Sequence, residues 1–296
     1  MTIYELAALL AATLWAFGGM ISATPSRELG AIPYVQIRMV IITAMLVVWV
    51  WVAGTWNSVQ TEHYQPLILS GVIGIFLGDT TLFLTLNRMG PRRTAILFAL
   101  AAPLSVLLGW FFLDEHLSYL QILGVTIVSI GVVLAVVFGK RKDQQHQWEA
   151  IKGPVWIGVS LGVFAALCQA IGSILARPVM EAGADPVAAS ALRVGISAIM
   201  LSIMVLLPIR AFKRANPLTP KLLGLTVLAG VNGMGIGMTL FLFALEGGEV
   251  GIISTITATS PAILLPILWI KTKEVPALGA WIGAGLVVAG SALLFV

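Results

Sequence analysis

The chain is predicted to be an all-α membrane protein of ten transmembrane helices, arranged as two inverted five-helix repeats. Three observations carry that expectation. Only 30 of the 296 residues are charged, where a soluble protein carries roughly 25%. Hydrophobic residues make up 59%, mean hydropathy is +1.01, and apolar runs of about 20 residues, the length that crosses a bilayer, recur from end to end. Short motifs of the first half return in the same order in the second.

A compact soluble domain of this length cannot hide so much apolar surface. That excludes a soluble enzyme, a nucleic-acid binder and a disordered chain. Cys168 is the single cysteine and His63, His116 and His146 lie far apart, so neither a disulfide within the chain nor a structural metal is expected. No cofactor is implied.

The runs lie near 3–23, 34–53, 66–87, 92–112, 118–138, 154–176, 186–209, 220–245, 249–270 and 275–296. The first has no basic start, carries Glu5 early and continues past Trp15, so it reads as a retained span and not as a cleaved signal. The second ends in Trp49 and Trp51, which with Trp56 and Tyr64 suit a membrane interface. The third holds Asp79 and the pair Gly74 and Gly78. The fourth and fifth flank a short acidic boundary at Asp114 and Glu115. The seventh opens at Pro186 and holds Arg193, the eighth holds Asn232, and the ninth is rich in hydroxyls and proline. Almost every run is apolar on all sides, as a membrane helix is. Runs of this length argue against barrel strands. The longest connection, 139–153, is too short for a soluble domain, so the chain divides into residues 1–138, a basic linker 139–153 and residues 154–296.

Fourteen of the 17 basic residues fall in the odd-numbered connections. The positive-inside rule therefore places those connections in the cytoplasm and both termini outside. The same loops explain the isoelectric point of 9.4, with anionic lipid as their ordinary partner.

Ala23, Pro25, Glu28, Gly30, Ala31 and Pro33 match Ala176, Pro178, Glu181, Gly183, Ala184 and Pro186 at an offset of 153. Thr81-Leu-Phe-Leu84, Gly90 and Pro103 match Thr239-Leu-Phe-Leu242, Gly248 and Pro261 at 158. Trp110, Glu115, Gly124 and Gly131 match Trp269, Glu274, Gly283 and Gly290 at 159. Five spans per half is an odd number, so the second half enters the membrane upside down. Inverted repeats of this kind underlie alternating access in many secondary transporters.

The segment from Phe112 through Asp114, Glu115, Leu117 and Ser118 to Gly124 and Gly131 resembles the closing signature of a domain in the EamA branch of the drug/metabolite transporter superfamily. Asp114 stands where that family usually has glycine. The second copy is looser, with Glu274, Pro276, Gly279, Gly283, Gly285 and Gly290. The resemblance covers essentially the whole chain. It implies ten helices around a central cavity and export of small metabolites, amino acids among them.

Several residues are candidates for the cavity. Asp79 lies about 20 Å into its span at 1.5 Å per residue. A charge at that depth costs about 2.5–3.5 kcal/mol and marks a substrate or ion pathway unless a neighbouring arginine or threonine satisfies it. Its repeat partner is Gly237. Arg38 and Arg193 lie about 6–7 Å and about 10 Å from opposite membrane edges. They suit gating or carboxylate binding; the competing expectation, favoured for Arg38, is snorkelling to headgroups. Trp15 and its near-equivalents Gln169 and Ser173 suit an aromatic and amide platform, against plain packing. Asn232 is a buried amide in need of partners. Pro103, Pro261 and Pro266 are expected to kink helices 4 and 9. Thr255 and Thr259 belong to a run of five hydroxyls ahead of Pro261, expected to line the cavity unless each bonds back along its own helix. Gly74-x-x-x-Gly78 and its counterpart Gly233-x-x-x-Gly237 are expected to serve packing within the chain, leaving a monomer or weak dimer.

The function expected is a secondary transporter in the bacterial inner membrane, an exporter of amino acids or related compounds by a facilitated or proton-coupled process. Its partners are a small-molecule substrate and lipid. Drug or cation efflux and sugar- or nucleotide-type transport are the alternatives. An intramembrane lipid-modifying enzyme is disfavoured, since such enzymes need clustered carboxylates for a metal.

Overall fold

The computed structural model describes residues 1–114, 118–138, 152–273, 275 and 277–293. The acidic residues Glu115 and Glu274 and nearly all of the linker 139–153 lie outside the described residues. Among the described residues the chain is helical and holds no strand. In order the helices are α1 (Ile3–Leu29), α2 (Ala31–Ala53), α3 (Thr61–Ser70), α4 (Gly78–Phe98), α5 (Ala101–Phe112), α6 (Tyr119–Val137), α7 (Val155–Glu181), α8 (Pro186–Leu206), α9 (Pro220–Gly230), α10 (Met238–Gly247), α11 (Val250–Thr257), α12 (Ser260–Thr272) and α13 (Leu278–Ala292).

Local chemistry sets many of the ends. Thr2 and Glu5 form a capping box at α1, with Thr2 N–H donating to Glu5 Oε2 at 2.7 Å. Ser118 and Gln121 do the same at α6, which gives the serine of the Phe112–Gly131 segment a physical role. Asp185 caps α8 and accepts from Val187 N and Ala188 N, with Pro186 in the first turn. Gly30 and Gly183, matched by the repeat, both have positive φ, 91° and 83°, where a side chain is strained.

The observed helices differ from the predicted spans in instructive ways. α1 and α7 run to Leu29 and Glu181, through Pro25 and Pro178. The expected boundary between spans three and four is a kink at Gly90, φ 82°, with Pro91 following. A wide π-helical stretch, Gly71–Leu77, joins α3 to α4, and a second, Val231–Gly237, joins α9 to α10. Thr81 and Thr239, equivalent by the repeat, donate back to Leu77 O at 2.8 Å and Gly235 O at 2.7 Å beside these stretches.

The breaks before Pro103 and Pro261 follow from the missing proline N–H. Pro103 leaves the Ala99 carbonyl without its helical donor, and Ala102 N takes it at 3.1 Å. Pro261 frees the Thr257 carbonyl, which accepts from Ser260 Oγ at 2.7 Å. Pro266 stays within α12.

Among the described residues seven helical stretches are long and apolar enough to cross a membrane, one of them running from Thr61 to Ala95 across the Gly90 kink. Three shorter apolar helices accompany them, Ala101–Phe112, Tyr119–Gly131 and Leu278–Val287. The outer surface is apolar: Val48, Trp51, Phe111, Phe112, Leu206 and Ile270 are exposed. That is the inverse of a soluble protein and the surface lipid requires.

The core lies where α1, α2, α7, α8 and α10 meet, around Tyr34, Met39, Ile42, Met180, Leu201 and Phe241. α2 packs along α8, α5 along α11 and α6 along α13, while α4 lies on α7 and α10 on α1. Small residues permit these approaches. A Cβ on Gly172 would meet Gly74 Cα at 2.8 Å, and one on Gly237 would meet Trp15 Nε1 at 2.8 Å. The spaced glycines of the signature work alike between α6 and α13, where a Cβ on Gly131 would stand 2.6 Å from Gly283 O.

Candidate functional site

A cavity of about 160 Å³ opens in the middle of the bundle, close to the size of an engineered cavity of about 150 Å³ that holds benzene. It therefore suits a small molecule. Its walls come from both halves of the chain. α1 contributes Trp15, Gly18 and Ser22, α2 contributes Arg38, and the stretch from Gly74 to Phe98 supplies one flank. Gln169 of α7, Met234, Met238, and Ser254, Thr257, Ser260 and Pro261 supply the other.

At its polar end Arg38 is ion-paired through Nη2 to Asp79 Oδ2. Arg38 is 4% exposed and Asp79 5%. The expectation that Arg38 snorkels is therefore overturned: its stem packs on Gly230 and its head turns inward to the carboxylate. The neighbouring arginine weighed as one partner for Asp79 is this one, supplied by α2 across 41 residues of sequence. The guanidinium carbon lies 4.5 Å from the Phe83 ring centre and 5.5 Å from that of Tyr34, distances that favour a cation over an aromatic face. Tyr34 OH donates to Ser22 Oγ at 2.7 Å and so ties the cluster to α1.

Trp15 lines the cavity and donates from Nε1 to Gly233 O at 3.0 Å. The platform expected of Trp15 with Gln169 and Ser173 is brought together only in part, since Ser173 is buried off the cavity and donates to Gln169 O at 2.8 Å. Asn232 is half-buried and donates back to Leu228 O at 3.0 Å. Thr255 and Thr259 bond back to Gly251 O and Ile256 O, both at 2.7 Å, and both are buried in protein off the wall. Their neighbours Ser254, Thr257 and Ser260 face the space instead. Arg193 is fully buried behind the wall.

Sequence reasoning missed Tyr34, Phe83 and Met238. It also missed two clasps at helix ends. Asn87 Nδ2 donates to Ser26 O at 2.8 Å and Ser26 Oγ donates to Asn87 Oδ1 at 3.0 Å, joining α4 to α1. Arg177 donates to the carbonyls of Leu245 and Glu246 and pairs with Glu181 at 2.6 Å, joining α7 to α10. Asn87 and Leu245 are equivalent at the repeat offset of 158, which was a signal available in the sequence.

A helical bundle with an apolar exterior, enclosing a solute-sized chamber with a buried ion pair, is the architecture of an integral membrane transport protein. The chain belongs to the EamA-like transporter family, which matches residues 2–137 and again 156–296. A protein of Bacillus subtilis (strain 168) called "Uncharacterized transporter YyaM" is 25% identical over 173 residues. That match covers 58% of this chain and spans about half, 54%, of the relative. A crystal structure of a protein shares the fold with a TM-score of 0.78 at 17% identity, covering 98% of this chain and 95% of the other.

Proposed function

We propose that the protein is a secondary transporter that exports small metabolites, amino acids or related compounds, across the bacterial inner membrane by alternating access. The observation that carries this reading is the central chamber walled by both halves, with the Arg38–Asp79 pair at its edge. Ten spans in two inverted five-helix units, with odd connections cytoplasmic and both termini outside, form part of the proposal.

The hydrogen bonds between loops support it. Ala215 N–H donates to Leu29 O at 3.1 Å, and Lys152 N–H to Arg88 O at 2.8 Å. Each bond joins two odd-numbered connections. Asp185 N–H donates to Ser58 Oγ at 2.9 Å and joins two even ones. The packing of α2, α5 and α6 on their repeat partners α8, α11 and α13 suits halves that exchange conformations about a common axis.

The test has two arms. Single cysteines replacing the exposed Asn57 and Arg214 are labelled in intact cells, where the buried native Cys168 gives little background. Labelling from opposite faces is expected, and labelling from one face refutes the inverted arrangement. Proteoliposomes of the purified protein are then assayed for counterflow of labelled amino acids. Absence of flux for any of them refutes amino-acid export.

A further inference from the structure

Arg38 and Arg193 lie on α2 and α8, five and seven residues after the matched prolines Pro33 and Pro186. Each packs against a glycine of the facing helix: a Cβ on Gly230 would stand 3.0 Å from Arg38 Cγ, and one on Gly71 would stand 2.9 Å from Arg193 Cα. Each head then reaches the start of the next inner helix. On α4 the residue met there is Asp79. On α10 it is Met238, whose Sδ lies 3.3 Å from Arg193 Nη1. The second half keeps the cation and lacks the carboxylate.

Arg193 is 0% exposed, and its Nε has no hydrogen-bond partner. No ion pair reaches it among the described residues. Among those residues no hydroxyl accepts from the guanidinium: its one side-chain acceptor is the Met238 sulfur, while Ser197 directs its proton to Gly71 O or Arg193 O and Thr239 to Gly235 O or Ser190 Oγ. A buried cation without a counter-ion is costly, and a thioether is a weak acceptor. The wall between this cation and the chamber is thin. Met238 and Gly74 both line the cavity, and Arg193 Nη2 lies 3.4 Å from where a Cβ on Gly74 would stand.

We propose that Arg193 is the counter-charge for a carboxylate on the transported molecule, which displaces the Met238 thioether and takes both arms of the guanidinium fork. The substrate is then a small carboxylate with an apolar body, suited to walls such as Leu82, Phe83, Leu86 and Phe98. This rests on the transporter reading and names the substrate class for the same chamber. Methionine is flexible enough to yield its place, and the arginine fork matches two carboxylate oxygens.

Thermal unfolding of the purified protein in detergent is titrated with isocaproate and isocaproamide, and with L-leucine and L-leucinamide. The acids are expected to bind roughly 10- to 100-fold more tightly than the amides, the span of a charged hydrogen-bonded contact. Arg193→Met should abolish that preference. Met238→Asp rebuilds on α10 the pair that Asp79 makes on α4. It should fold at least as well as the parent protein and lose the acid preference because the fork is filled, so it carries the test alone if Arg193→Met does not fold. Equal responses to acid and amide, no response to any of the four, or a preference that survives Met238→Asp overturns the proposal. Flux separates the two readings. Acid binding through Arg193 without counterflow supports the Arg193 site and refutes transport; counterflow without acid preference does the reverse.

Discussion

Replacing Asp79 by alanine strands Arg38 in the interior. Removing one partner of a buried ion pair costs about 3–5 kcal/mol. Arg38 keeps its contacts with the Phe83 and Tyr34 faces in parent and variant alike, so they do not change the difference. The expected loss for Asp79→Ala is therefore about 3–5 kcal/mol, roughly 150- to 5000-fold in the folding equilibrium. Replacing both partners, Arg38→Met with Asp79→Leu, removes both charges from the interior and should be near neutral or stabilising by about 1–4 kcal/mol. The assay is equilibrium unfolding in mixed micelles, followed by the fluorescence of the nine tryptophans, for Asp79→Ala and for the double-mutant cycle of Arg38→Met, Asp79→Leu and the two combined. A loss below about 1 kcal/mol for Asp79→Ala, or a double variant whose loss equals the sum of the singles, would show that the pair is not buried and coupled as described.

Gly172→Ala should destabilise by about 1–3 kcal/mol, because its Cβ meets the Gly74 backbone, which cannot yield, whereas Gly224→Ala, with nothing within 4 Å, should stabilise by up to about 1 kcal/mol; equal unfolding midpoints for the two refute the close approach of the Gly71–Leu77 stretch to α7. Asn87→Leu strands the buried Ser26 hydroxyl and should cost about 1–3 kcal/mol, with part of the loss recovered when Ser26→Ala is added. Additive losses in the same unfolding assay would mean that the two side chains do not clasp.

Much of the bundle is legible in the sequence because lipid imposes one rule, long apolar runs, and the glycine and proline punctuation sits in the open. Asp79 stands out for the same reason: one carboxylate deep in an apolar run has few ordinary explanations. Its partner does not stand out. α2 is apolar all round, so no periodicity says which way Arg38 faces, and snorkelling then looks the easier choice. The hydroxyls of the ninth span show the same gap. Composition places them near the chamber, but the rotation of α11 decides that Ser254 and Thr257 face it while Thr255 does not. The π-helical stretches leave no residue-level trace beyond clustered glycines, since an extra residue per turn changes geometry and not composition.

Those two stretches act as angular spacers. Each residue advances an α-helix by about 100°, and a π-helical insertion absorbs one residue without breaking the rod. Shortening Gly71–Leu77 or Val231–Gly237 by a single residue would swing everything beyond it by more than a quarter circle. Asp79 would leave Arg38, and Met238 would leave Arg193. The length of these seven-residue segments thus fixes the azimuth of the inner chemistry, and deleting a single apolar residue would scramble it.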